Sequence, residues 1–237
     1  MKRLIIAFSF LTRLPMPRVQ SDPSDFAAAI RYYPFVGLAI GAFVLAASWG
    51  GSQIDPWLGP LAALAIWVAI TGALHLDGLG DLADATGAAH RDRERLIMVM
   101  ADPHIGSFGV VAIVLQLLAK LVLLHAVQGP AWGALLLVPA VARIGPLLWA
   151  TWLPPLKPGL GASITGAIRH RDLIGWLLVL AGMSVWQPAL LSALLLIPAW
   201  ALWLRYRIGG INGDGHGAGI ELAETGLLLA VVIASRF

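Results

Sequence analysis

Seven stretches of this chain are apolar for close to the roughly 20 residues that a helix needs to cross a bilayer, and this limits the fold more than any other feature. They fall at about 34–50, 60–76, 105–127, 131–153, 173–186, 188–204 and 220–235, with ends set to within a few residues. A soluble amphipathic helix keeps a polar outer stripe, and these stretches lack one. Hydrophobic residues make up 59% of the 237 and charged residues only 12%, so nothing in the composition offsets that reading. The expected fold class is all-α, a polytopic integral membrane protein with six or seven transmembrane helices. The count turns on the two short stretches, 173–186 and 220–235, and on Gln187-Pro188, which reads as a tight turn or as a kink within one longer helix. No repeat, low-complexity tract or composition boundary divides the chain, so residues 1–237 are expected to form one membrane-embedded domain.

Charge fixes an orientation. With the N-terminus cytoplasmic and seven crossings, thirteen of the sixteen Lys and Arg residues, from Lys2 to Arg207, fall on the cytoplasmic side. The opposite loops, around Asp55, Gln128 and Gln187, carry none before Arg236, and only Lys120 and Arg143 lie inside apolar stretches. The net charge of +3 and the basic pI near 9.7 are therefore topology signals, and no nucleic-acid partner is expected. The long loops at 77–104, 154–172 and 205–219 share that side, which makes it the expected active face. Residues 1–20 place Lys2, Arg3, Arg13 and Arg18 around LIIAFSFL without a small-residue cleavage site, which suits an interfacial or re-entrant helix better than a signal peptide. There is no cysteine, which excludes disulfides, thiolate metal sites and cysteine nucleophiles.

The second stretch runs into TGALHLDGLGDLADA (71–85), which delivers His75, Asp77, Asp81 and Asp84 to one edge of the membrane. On a continuous helix Asp81 and Asp84 stand at about 40° and about −20° from Asp77, so three carboxylates share a face. In lipid, three aspartates would cost roughly 9 kcal/mol, so they belong at the interface or in a polar cavity. A hard cation, magnesium or manganese, with water and substrate phosphate completing its shell, is the expected reason for the cluster. A solvated acidic helix start is the plainer alternative. Gly78 and Gly80 either interrupt the helix or allow a ligand to approach the backbone.

Four further features carry chemistry. Arg91, Arg93 and Arg95 form a charge run in which Arg95, leading into RLIMVM, is the candidate phosphate clamp. Asp102-Pro103-His104 introduces the third stretch, with Asp102 and Pro103 explained as N-cap and N1 and His104 left as a proton carrier, a phosphate ligand or an interfacial histidine. Arg143 sits near mid-membrane, placed to face an anionic ligand or an aspartate, whereas Lys120, roughly 20 Å into its span, is expected to snorkel outward. GGINGDGHGA (209–218), with Asp214 followed by Glu221, reads as a glycine-rich turn whose amides cradle phosphate, beside a second carboxylate group on the same side as the first.

FLTRLP (10–15), YPFVGLAIG (33–41), TGALHLDGLGDLADA (71–85), MADPHIGSFG (100–109) and GGINGDGHGA (209–218) occur in an order and spacing that resembles the cobalamin synthase, or adenosylcobinamide-GDP ribazoletransferase, family nearly end to end. The resemblance implies a magnesium-dependent, multi-pass enzyme of the bacterial inner membrane. It implies adenosylcobinamide-GDP and α-ribazole or its 5′-phosphate as substrates and GMP as a product, with homo-oligomerisation left open. Matched motif by motif, Asp77, Asp81, Asp84 and Asp214 are the expected Mg2+ ligands. Arg95 and Arg143 would balance phosphate charge, with Glu221 and Asn212 at the substrate, and His75, His104 or His216 would deprotonate the attacking hydroxyl. Asn212 stands where the family pattern usually has threonine. Two other activities are weighed against this one: a CDP-alcohol phosphotransferase, whose usual D-G-x-x-A-R start is absent, and a transporter, which would spread its charges along a path instead of gathering them on one side.

Overall fold

The computed structural model describes residues 1–88, 93–127, 129–156, 164 and 166–237, and of residues 93, 129 and 130 the backbone alone. Arg91, Gln128 and Lys157, part of the charge reading, lie outside these residues. Within them the chain forms twelve α-helices joined by short 3-10 turns: α1 (Lys2–Leu11), α2 (Pro23–Ala29), α3 (Tyr33–Ser52), α4 (Leu58–Thr71), α5 (Leu74–Ala88), α6 (Arg93–Val99), α7 (Ser107–Ala126), α8 (Ala134–Ala142), α9 (Gly145–Trp152), α10 (His170–Trp186), α11 (Ala193–Arg207) and α12 (Gly213–Ala234). One isolated bridge joins Pro155 to Ile211, and the described residues form no strand.

Among the described residues, five segments are long and apolar enough to cross a membrane: Pro23–Ser52, Ser107–Ala126, Ala131–Trp152, Pro188–Arg207 and Gly213–Ala234. A sixth arises when α4 and α5, bent by 85° at a short break, are taken as one broken span. The protein is thus all-α and polytopic. The number meets the lower end of the expected six or seven because α10, at 17 residues, is shorter than these segments. The Gln187-Pro188 junction is a turn and not a kink: α10 stops at Trp186, Gln187 leaves helical geometry at φ −131°, and a 3-10 turn over Pro188–Ser192 opens α11. At ten residues α1 is too short to cross about 30 Å of hydrocarbon. Its Lys2 and Arg3 both pair with Asp25, which fastens it to α2.

Two breaks place the rest. The expected span at 60–76 ends at Thr71, because Gly72 (φ 62°) and Ala73 (φ 59°) both enter the left-handed region. Gly72 does so freely, whereas Ala73 pays about 1–2 kcal/mol, so packing must hold the bend. One tie is the amide of Arg13, which donates to the Ile70 carbonyl at 2.7 Å. The second break separates α8 from α9 at Arg143 and Ile144, where Pro146 cannot donate a helical hydrogen bond and the helix restarts. At the centre, α12 packs on α5, α7, α8 and α9, while α3 packs on α4 and α8. The outward faces of α7 and α11 show Leu115, Leu118, Val122, Leu195 and Leu202 exposed, as helices in contact with lipid do.

Candidate active site

The aspartate motif lies on one unbroken helix, α5, so Gly78 and Gly80 do not interrupt it. Gly78 is where α12 comes closest: a Cβ there would stand 2.9 Å from the Asp214 Cα. Gly217 of α12 returns the contact, since a Cβ on it would lie 3.3 Å from the Cα of His75. Small residues facing each other let two membrane helices approach to backbone contact. The crossing brings His75 and Asp77 beside Asp214 and His216.

A different structure replaces the expected glycine-rich turn. Of the glycines from 209 to 219 only Gly209 has positive φ, and the segment from Gly213 onward is already the first turns of α12. Asn212 is its N-cap: its side-chain oxygen accepts from the Gly215 amide at 2.9 Å, and its Nδ2 donates to Asp214 Oδ2 at 2.7 Å. Asn212 therefore positions Asp214 and starts the helix, work that the family's usual threonine could share through its hydroxyl. The bridge at Ile211, whose amide donates to the Pro154 carbonyl at 2.9 Å, fixes the entry.

At this crossing opens a cavity of about 340 Å³ lined by Asp77 and Asp214, by His75 and His216, and by an apolar wall that includes Phe10, Phe26 and Tyr33. No Lys or Arg is among its described lining residues. His75 is 3% exposed and its Nε2 has no hydrogen-bond partner among the described residues, nor has the buried Nδ1 of His216. Asp81 stands one turn beyond Asp77, where the charges that act on it are Asp214 first, then Asp77 and Asp84. No three His, Asp or Glu side chains among the described residues close into a ready ligand cage for a metal ion.

Asp84 departs from the expectation. Its two oxygens accept from the amides of Gly106 (2.7 Å) and Gly109 (2.9 Å), so it caps α7 from another helix and is 7% exposed. Glycine is required at both positions, because a Cβ would collide with the carboxylate. Asp102 is accordingly not the N-cap of α7, which starts after Gly106. Asp102 instead accepts from the amide of His104 at 3.0 Å and meets its ring Nδ1 at 2.8 Å. Those contacts, the backbone one first, hold the Asp102 carboxyl below the usual carboxylate range. His104 and Arg95 are exposed and do not line the cavity.

Arg143 and Glu221 are not at the cavity either. They belong to a buried network in which Arg143 donates to Glu224 at 2.7 Å and to the Pro139 carbonyl at 2.8 Å. Lys120 reaches Glu221 at 2.7 Å and Glu224 at 2.5 Å, and lies 4.4 Å from the Trp67 ring centroid. It does not snorkel: at 2% exposure it is fully committed to these partners. Gln116 adds bonds to Glu221 Oε2 (2.9 Å) and Thr225 (2.8 Å). The sequence carries a sign of this network in the turn-spaced pairs Gln116/Lys120 and Glu221/Thr225, with Glu224 between, on what prove to be adjacent helices.

The family model for cobalamin-5-phosphate synthase matches residues 3–232 of this chain. The chain belongs to that family. It is 59% identical to the adenosylcobinamide-GDP ribazoletransferase of Novosphingobium aromaticivorans over 98% of its length and 97% of the relative's. It is 52% identical to that of Laribacter hongkongensis over 100% and 98%, and 46% identical to that of Thiobacillus denitrificans over 97% and 94%. No solved structure gives a significant match. Membership sets aside the CDP-alcohol phosphotransferase and transporter readings. Within the family frame, the crossing of α5 and α12 brings together four of the eleven expected site residues, His75, Asp77, Asp214 and His216, with Asp81 a turn away. Of the aromatic wall from α1, α2 and α3, Phe10 and Tyr33 open the motifs FLTRLP and YPFVGLAIG, but nothing in the sequence assigned them or Phe26 to a cavity.

Proposed function

We propose that the protein transfers the adenosylcobinamide-phosphate group of adenosylcobinamide-GDP to α-ribazole or its 5′-phosphate, releasing GMP, at the cytoplasmic face of the bacterial inner membrane. The observation that carries this reading is the pair of carboxylates, Asp77 and Asp214, that line one cavity from two helices beside His75 and His216, each with a ring nitrogen that has no partner among the described residues. The relatives named for the same transfer support it. The excess of Lys and Arg in the loops at 77–104, 154–172 and 205–219, counted with α10 as a seventh crossing, supports the cytoplasmic orientation.

In this reaction a ribose hydroxyl oxygen forms a bond to the phosphorus attached to cobinamide, and the bond from that phosphorus to the GMP oxygen breaks. The hydroxyl proton passes to a ring nitrogen. His75 Nε2 and His216 Nδ1 are the two on the cavity, while His104 lies outside it. No protein nucleophile is needed, so the chain's contribution is alignment and charge control. Asp77, Asp81 and Asp214 offer hard oxygens, which suits Mg2+ held jointly by carboxylates, water and substrate phosphate. Bound there, the cation would neutralise diphosphate charge. Detergent-purified protein should release GMP from adenosylcobinamide-GDP only when both α-ribazole and Mg2+ are present. Release without an acceptor, or full release in a chelator, would contradict the reading.

A further inference from the structure

The cavity is far too small for a corrinoid, and most of its described lining is apolar. At about 340 Å³ it is at the low end for small-molecule sites. Guanine presents several donors and acceptors on its edge, and each one buried without a partner is costly. The lining offered by Leu11, Phe10, Phe26, Ile30, Tyr33 and Ile220 is apolar apart from one phenol, and the polar side chains on the cavity are those of His75, Asp77, Asp214 and His216. Phe10 stands at the centre of the aromatic wall, edge-on to Phe26 with centroids 5.0 Å apart and stacked with Tyr33 at 6.2 Å. A second, independent sign of a ligand is the His75 side chain, 3% exposed on the cavity lining with Nε2 lacking any partner among the described residues.

We propose that this cavity is the acceptor subsite, taking a nucleoside with an apolar bicyclic base against Phe10, Phe26 and Tyr33 and with its ribose toward Asp77 and Asp214. The inference rests on the proposed transferase activity and deepens it. A benzimidazole nucleoside has a flat hydrocarbon face for the aromatic wall and one unsubstituted ring nitrogen, which a single donor such as a histidine N–H satisfies. Its ribose then lies at the carboxylate end, where the phosphoryl group must arrive. The corrinoid and the guanosine of the donor remain outside, reaching the cavity through their diphosphate alone. Apart from Ile220 on α12, the wall comes from residues 10–33, in α1, α2, the turn that opens α3 and its first residue, while the carboxylates come from α5 and α12. Base choice and phosphoryl transfer are thus carried by different parts of the chain.

The test measures GMP release by the full-length protein in detergent, with the two substrates varied separately. For Phe26→Ala the KM for α-ribazole should rise roughly tenfold, the size of one lost base-aromatic contact, with the KM for adenosylcobinamide-GDP within twofold of the parent. In parallel, radiolabelled α-ribazole bound to the unaltered protein in equilibrium dialysis should not be displaced by GMP. A rise in the donor KM, two unchanged KM values in a folded variant, or displacement of α-ribazole by GMP would each overturn the subsite. Should the unaltered protein release no GMP at all, the activity itself falls. Normal turnover with any of the three adverse results removes only the subsite.

Discussion

Two charged regions share the helix α12, and they are built on opposite rules. Asp77 and Asp214, with Asp81 a turn away, face a cavity with no Lys or Arg among its described lining residues, and Asp77 is exposed. Two to three turns further along α12, Glu221 and Glu224 meet Lys120 and Arg143 in a fully buried set of two anions and two cations. Charge inside a membrane protein does not by itself mark a ligand site. The set that is balanced and buried holds helices together, whereas the carboxylates at the opening line a cavity that a ligand can enter. By that criterion Arg143 and Glu221, expected at the substrate, move to the structural side, and Asp84, saturated by two amides, moves with them.

Mutations can break this contrast, the strongest first. Asp77→Asn should lower GMP release at least about a hundredfold while leaving the melting temperature in detergent within a degree or two, because it removes charge without opening a core. Loss of stability together with activity would place Asp77 among the structural charges. Glu224→Ala should do the reverse. It strands Arg143, which has no exposed surface, and should destabilise by about 3–5 kcal/mol, read as a large fall in melting temperature and in membrane yield. A variant as stable as the parent would show that the network is not structural.

A smaller effect is expected from Gly78→Ala. Its new methyl would press on the Asp214 backbone, force α5 and α12 apart, and cost about 1–3 kcal/mol, with activity falling more than stability as Asp214 shifts. Smallest of all should be the double change Lys120→Met with Glu221→Gln. One cation and one anion leave together, Arg143 and Glu224 remain paired, and the expected cost is about 1 kcal/mol with GMP release retained. If this double variant proves as damaging as Glu224→Ala, charge balance is not what the network provides.

The sequence alone determined the class and, to within a few residues, the stretches that became α3 and the spans at 107–126, 131–152 and 188–207, whereas the last span begins seven residues before its expected start and the stretch at 60–76 stops at a bend. Those properties are local: apolar runs, charge counts and residue spacing need no knowledge of what lies opposite. Whether Gly78 and Gly80 interrupt the helix was open from the sequence, and the structure keeps both helical, so His75, Asp77 and Asp81 share α5. Only the tertiary structure decided which helix faces which. It turned Asp84 to the start of α7, paired Lys120 and Arg143 with Glu224, 104 and 81 residues away in sequence, and stood Asp214 against Gly78. It also put three aromatic rings from the first 33 residues on the wall of the cavity. A side chain's spacing along its own helix fixes its face, but whether that face meets an opposite charge, a backbone amide or an open cavity depends on the bends at Gly72-Ala73 and before Pro146. Those bends are set by packing across the whole bundle.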